Sequence, residues 1–198
     1  MTYATLDDLR SQLGKGPGPS DAYTQKMLHP IPDAPVVDRV TLILDRCQGK
    51  RVLDFGATGS LSLKIREVCA AYHGVDREAA SDVVPFDLDD VHEPALPRFD
   101  VDIIICGELL EHLSNPGWFL ARLCEQYGHI ATIITVPNAF AKQGHLRDGI
   151  ENVNIDHVCW YSFRTLKTLL ARAGYTGYWF GWYHGQPLTA EGLIVVLE

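Results

Sequence analysis

The strongest constraint in this 198-residue chain is a pair of predominantly apolar runs, VDIIIC (101–106) and HIATIITVP (129–137). Neither alternates polar with apolar residues, so neither suits a strand with one wet face. Both read as strands buried on two sides, as in a parallel sheet covered by helices. The flanking segments agree. RVLDF (51–55) is a short apolar run closed by Gly56, Ser60 is the expected N-cap of a helix carrying Leu61, Ile65 and Val68, and AAYHGVD ends a further strand at Asp76. Asn115-Pro116 opens a helix through Trp118, Leu120 and Leu123 that stops near Gly128. Ser162 caps FRTLKTLLARAGY, where Leu166, Leu169, Leu170 and Ala173 form the apolar stripe and Gly174 supplies the stop. Strands alternating with helices predict an α/β, Rossmann-like doubly wound sheet, mostly parallel. The last two strand candidates, YTGYWFGWY (175–183) and GLIVVLE (192–198), are joined by a link too short for a helical crossover, which predicts a C-terminal antiparallel hairpin.

The chain before this pattern differs. Leu6, Leu9 and Leu13 have helical spacing, but GKGPGPS (14–20) breaks it, so residues 1–33 are expected to form an arm or lid and residues 34–198 the main domain. VVDRVTLILDRC (36–47) places Val36, Val40, Leu42, Leu44 and Cys47 around a helix able to cover a sheet edge. An apolar fraction of 46% excludes a disordered chain, and 17 Lys+Arg against 25 Asp+Glu argue against a dedicated nucleic-acid binder, whose affinity comes from clustered cations. Five scattered cysteines with no CxxC suggest neither a disulfide framework nor a thiolate zinc site, and fit a reducing cytoplasm. MTYATLDDLR lacks the basic and apolar regions of a signal peptide, and no apolar stretch is long enough for a membrane span, so no membrane partner is expected.

In an open α/β sheet, ligands bind beyond the carboxyl ends of the strands. The first such end is DFGATGS, from Asp54 through Gly56, Ala57, Thr58 and Gly59 to Ser60, where glycines permit close backbone approach and a helix N-terminus offers free N–H groups. Asp76, at the next strand end, stands where an acid accepts hydrogen bonds from ribose hydroxyls. FDLDD (86–90) offers Asp87 and Asp89 beside Leu88, a combination suited to adenine.

The succession VLDFGATGS, GVDRE, FDLDD, VDIIICGELLEHLSNP, ITVPN and DHVCWYSFRTLKTLLARAGY resembles the class I S-adenosylmethionine-dependent methyltransferases, in particular the broad group that includes ubiquinone-pathway O-methyltransferases. The resemblance covers residues 50–198. It implies a sheet whose last strand inserts antiparallel, with Gly56 and its neighbours at the methionine end of the cofactor, Asp76 at the ribose, Leu88 and either Asp87 or Asp89 at the adenine, and Glu108 near the sulfonium. The chain departs from the family's D-x-G-x-G-x-G loop: only Gly56 is in register, with Thr58 and Ser60 where glycine is usual. The short span from Asp76 to FDLDD also leaves little room for the usual intervening helix, so a trimmed sheet edge is expected.

Glu108, Glu111 and His112 stand at i, i+3 and i+4 and would share a face of a helical turn. Three readings are open. Glu111 and His112 brace the loop through hydrogen bonds; or Glu108, Glu111, His112 and His157 hold a divalent metal, a mixed N and O donor set suited to Mg, Mn or Zn; or His112 or His157 acts as a plain general base. ExxEH with a distant DHxxWYS is similar to the metal-dependent small-RNA 2′-O-methyltransferases. The acceptor implied first is a small-molecule oxygen. An RNA ribose hydroxyl is the alternative, weakened by the net charge of −8, and a non-catalytic cofactor-binding regulator is a third reading, resting on the altered glycine loop. Trp160, Tyr161, Trp179, Phe180, Trp182 and Tyr183 read either as pocket aromatics or as packing, and AFAKQGHLRDGIEN (139–152), with Lys142, His145 and Arg147, as a lid or a solvated loop.

Overall fold

The computed structural model describes residues 32–198 apart from 94, 142–145, 148–149, 152–153 and 186–188. Residues 1–31 of the expected arm, and Lys142 and His145 of the expected lid, thus lie outside the described residues. In chain order the elements are β1 (Val36–Val37), α1 (Arg39–Cys47), β2 (Arg51–Phe55), α2 (Ser60–Val68), β3 (Ala71–Asp76), β4 (Val83–Pro85) and β5 (Ile103–Gly107). A 3-10 turn (Leu110–His112), α3 (Pro116–Tyr127), β6 (Ala131–Pro137), β7 (Leu146–Arg147), β8 (Ile150–Glu151), α4 (Phe163–Arg172), β9 (Tyr178–Tyr183) and β10 (Gly192–Leu197) follow.

Eight strands form one sheet in the order β1-β9-β10-β6-β5-β2-β3-β4, and β7 pairs with β8 apart from it. Every neighbour pair of the large sheet is parallel except those of β10, which runs antiparallel to both β6 and β9. The C-terminal hairpin expected from the short link is therefore present, with its second strand inserted between β9 and the parallel set. The expected trimmed edge is also present: residues 77–82 between β3 and β4 contain no helix.

Successive residues of the central strands enter two separate cores. Leu53, Ile104, Cys106 and Ile134 point to one face, packed by Phe119, Leu120 and Leu123 of α3 and Leu166 and Leu170 of α4. Val52, Ile103, Ile105 and Ile133 point to the other, packed by Ile43 and Cys47 of α1 and Ile65 of α2. Burial on both faces is why these strands are mostly apolar rather than alternating, with Asp54 of β2 and Thr132 and Thr135 of β6 as buried polar exceptions.

Local chemistry sets the helix ends. Asn115 accepts a hydrogen bond from the Trp118 N–H at 3.1 Å ahead of Pro116 in the first turn of α3. Ser162 and Thr165 form a reciprocal capping box on α4, and Gly174 adopts φ +106° just beyond its end. Two expectations are corrected. Ser60 does not cap α2 but is its first residue: Gly59 is the cap, and it contributes no side-chain bond. Val36 does not join the first helix; it pairs with Trp182 in β1, because Asp38 Oδ1 accepts the Thr41 N–H at 2.7 Å and starts α1 after it.

Phe119 is fully buried and meets Phe55 edge-on at a centroid distance of 5.4 Å, joining α3 to β2. Phe119→Ala is expected to lower unfolding free energy by about 3–5 kcal/mol in urea titration, as for other buried aromatic truncations. A loss below about 1 kcal/mol would contradict this packing.

Candidate active site

A cavity of about 730 Å³ opens over the carboxyl ends of β2, β3, β4 and β5. Of the residues singled out from the sequence, Gly56, Thr58, Gly59, Asp76, Asp87, Leu88, Asp89, Glu108 and His112 line it. Asp54, Ala57 and Glu111 are buried and are not on its wall.

The floor is the β2–α2 turn. Gly56 has φ +81°, and a Cβ there would lie 3.3 Å from Leu109 Cδ1, so both conformation and space favour glycine. Thr58, standing where the family has glycine, donates its hydroxyl to Asp76 Oδ2 at 3.3 Å and so ties the turn to the end of β3. Ala57 packs inward over Gly74, whose added Cβ would come within 2.9 Å of the Ala57 methyl. The uncapped start of α2 leaves N–H groups near the cavity without a side-chain partner.

The segment after β4 is anchored from below. Asp87 Oδ1 accepts the Asp89 N–H at 3.0 Å, while Asp89 accepts the Ser114 and Asn115 N–H groups at 3.0 and 3.1 Å. Arg122 of α3, itself buried, donates to the Leu88 carbonyl at 2.7 Å and the Glu93 carbonyl at 2.6 Å. Sequence reasoning missed Arg122, which no motif marks.

Glu108 follows β5 with φ +52°, a conformation few non-glycine residues adopt. Its Oε1 accepts the Tyr183 hydroxyl at 2.6 Å and pairs with Arg39 Nη1 at 3.1 Å. It is thus engaged by β9 and α1, and its left-handed backbone sets it off from the short 3-10 turn instead of on one helical face with Glu111 and His112.

Glu111, His112 and His157 do come together. Each offers one ligand atom such that the three lie within 4.8 Å of one another, and the two imidazoles meet edge-on at 4.7 Å. The Glu111 carbonyl accepts the Val158 and Cys159 N–H groups at 2.8 and 3.2 Å, which holds the His157 segment against the turn. The Tyr161 hydroxyl pins the same turn through the Leu110 carbonyl at 3.1 Å. Glu111 is only 1% exposed, and neither carboxylate oxygen has a hydrogen-bond partner among the described residues. Burial, and next the negative charge of Glu108, push its pKa up to about 8. An unpartnered buried carboxylate is costly unless protonated or bound to a cation, and one carboxylate with two imidazoles is a donor set for Mg, Mn or Zn.

The Methyltransferase domain family matches residues 29–178, about three-quarters of the chain. The chain belongs to this methyltransferase family. Among solved structures, the methyltransferase is similar to the small RNA methyltransferase HEN1 (TM-score 0.60, 17% identity), with 80% of this chain but 24% of that one covered. It is similar as well to a SAM-dependent methyltransferase from Archaeoglobus fulgidus (TM-score 0.57, 16% identity, 79% and 93% covered). A third likeness is to the N-terminal domain of EvdMO1 with SAH bound (TM-score 0.52, 14% identity, 80% and 78% covered). No curated protein matches the methyltransferase in sequence. At these identities the structural likenesses establish the fold: the class I methyltransferase sheet. The enzyme is S-adenosylmethionine-dependent. No helix among the described residues is long and apolar enough to cross a membrane.

Asp54, behind the floor, accepts the Tyr72 hydroxyl at 2.7 Å, and burial raises its pKa from 3.8 to about 6 against the opposing pull of Ser62 and Tyr72. Between those values the folded methyltransferase holds more protons than the unfolded chain, so this group favours folding below pH 3.8 and loses that contribution as pH rises through about 6. The stability difference between wild type and Asp54→Asn, followed by urea midpoints, is expected to shift against wild type from about pH 4 to 6.5 and to level off above. A difference independent of pH would contradict the raised value.

Proposed function

We propose that the methyltransferase acts on a hydroxyl oxygen of a small molecule carrying two neighbouring oxygens, with a divalent cation held by Glu111, His112 and His157. The isolated Glu111 carboxylate beside two imidazoles carries this reading. In it, residues 34–198 form the catalytic domain and residues 1–33 an arm. S-adenosylmethionine supplies an activated methyl group on its sulfonium. Glu111, His112 and His157 would hold the cation, whose charge would lower the acceptor hydroxyl's pKa.

The chain's own residues then have defined tasks. The Gly56–Gly59 turn receives the methionine end, Asp76 the ribose hydroxyls, and Asp87 with Leu88 the adenine. Asp89 holds the loop after the Glu111–His112 turn, so both halves of the cavity share one brace. Leu109, Leu113 and Val158 supply apolar wall that excludes water around the transfer, and most of the rate enhancement comes from fixing the acceptor in line with the methyl group. If no cation binds, His112 or His157 takes the hydroxyl proton directly.

An RNA 3′-terminal ribose also presents neighbouring hydroxyls, and the likeness to HEN1 brings it forward as a second reading. The acidic lining of Asp76, Glu78, Asp87, Asp89, Glu108 and Asp156 speaks for an uncharged acceptor over a polyphosphate chain. Transfer of labelled methyl groups to a panel of methyl glycosides and catechols, compared with a single-stranded RNA bearing a 3′ diol, separates the two. Faster transfer to RNA would overturn the small-molecule assignment.

Chelation by EDTA is expected to abolish transfer and Mn²⁺ to restore it; full activity after chelation assigns the chemistry to a histidine base. Glu111→Gln and His157→Ala should each lose Mn²⁺ binding in calorimetry. Because the Glu111 carboxyl titrates at about 8, Mn²⁺ uptake at pH 7 should release about one proton, with affinity rising up to about tenfold per pH unit towards 8. Uptake without proton release would contradict Glu111 as a ligand.

A further inference from the structure

We infer a second ligand site at the trimmed edge of the sheet, suited to an aromatic carboxylate: Arg66 and the Tyr72 N–H take the carboxylate, and the stacked rings of His73 and Phe99 receive the aromatic body. The inference does not rest on the acceptor reading above, because this cavity shares no lining residue with the one over the strand ends.

The site follows from the shortness of β4. Its register on β3 begins at Gly74↔Val83 and runs to Asp76↔Pro85, whereas β3 itself starts at Ala71. The first half of β3 therefore has no outer strand. Backbone groups alternate in direction along a strand. The Ala71 N–H donates to the Lys50 carbonyl and the Val75 carbonyl accepts the Gly56 N–H, both on the β2 side, while the Gly74 N–H donates outward to the Asp82 carbonyl at 3.3 Å. Tyr72 shares the parity of Gly74, so its N–H and carbonyl are directed at the open edge. A cavity of about 490 Å³ lies there, within the range of small-molecule sites.

Side chains alternate as well, and the cavity wraps the edge. Tyr72 packs with the core beneath α1 and α2, and the Arg66 guanidinium lies 4.4 Å from its ring centroid. His73 turns the other way and stacks on Phe99, with centroids 4.5 Å apart and planes 22° from parallel. Val84, 41% exposed, adds an apolar rim. Tyr72 is fixed from behind, donating its hydroxyl to Asp54 Oδ2 at 2.7 Å.

Arg66 gives the site its charge. It is half-buried in the last turn of α2, and no carboxylate of the described residues lies within ion-pair distance of it. Such an arginine stands out in a chain of net charge −8. Asp82 is the acid on this wall, and it is exposed, so solvent and salt screen it. A planar anion meets every feature at once: a guanidinium fork for its oxygens, a backbone donor at the open edge, and ring surface on which an aromatic body gains contact. A sugar phosphate would leave the rings and Val84 unused, and an aromatic cation would meet Arg66. Glu111, His112 and His157 are not on this wall, so the carboxylate is held there as a ligand and not as a methyl acceptor.

Titration of the isotope-labelled full chain with naphthoate and with uncharged naphthylmethanol, followed by amide shifts, tests this. Naphthoate should bind with a Kd of about 1 mM or below, the strength expected for a ligand of its size, and should move the amides of Tyr72, His73 and Val84. The alcohol should bind at least about tenfold more weakly, the lower end of the range for hydrogen bonds to a charged group. Arg66→Met should bring that ratio to about one. Val84→Glu, a change at the exposed rim, should weaken naphthoate by about threefold or more and leave the alcohol unaffected. Saturating S-adenosylhomocysteine should leave naphthoate affinity unchanged. The proposal is overturned if wild type fails to bind naphthoate or binds both probes equally, or if either folded variant keeps the wild-type ratio. Displacement of naphthoate by S-adenosylhomocysteine would place it in the cofactor cavity and overturn the proposal as well.

Discussion

Burial of β2, β5 and β6 on both faces governs the rest of the molecule. A strand covered on two sides can keep its backbone groups paired only with neighbouring strands, and can carry few polar side chains along its length. Polar chemistry is thereby pushed to the strand ends, and in a parallel sheet those ends lie on one edge. Asp76, Glu108 and the Gly56 turn meet there because the interior would not tolerate them. Asp54 shows the cost of departing from this rule: one residue inside β2, it needs hydroxyls from Tyr72 and Ser62 and still has its ionised form disfavoured.

The strand ends were legible because each apolar run stops at a recognisable break, at Gly56, Asp76 or Gly107. The helix caps at Asn115 and Ser162, the absent helix after Asp76 and the terminal hairpin were equally readable, since each depends on neighbours in sequence. What could not be read depends on contacts across the sheet. Regular spacing put Glu108, Glu111 and His112 on one helical face, but the helical turn spans only Leu110–His112 and Glu108 lies outside it in a left-handed conformation. Nothing local signals that Tyr183, 75 residues away, fixes that carboxylate. Arg39 and Arg122 sit in stretches that look like ordinary amphipathic helix. Thr58 departs from a glycine pattern, and only the position of Asp76 shows that its hydroxyl has a partner.

Two carboxylates three residues apart thus have opposite fates. Glu108 meets a cation and a hydroxyl at the cavity wall. Glu111, held by backbone bonds to the 158–159 segment, is shut away with its oxygens unmatched and its pKa near 8. Environments that drive neighbouring acids apart are a recurrent sign of divided labour within one site.

The missing helix between β3 and β4 has a mechanical consequence. With no helix above it, the segment carrying Asp87 and Leu88 takes its rigidity from Arg122 on α3 beneath, and from the bonds between Asp89 and the residues that start that same helix. Helix α3 in turn begins just after the Glu111–His112 turn. The Asp87–Asp89 segment and the Glu111–His112 turn are therefore fastened to a single helix. A fluctuation that frays the start of α3 loosens both at once, so the two sides of the cavity rim open together.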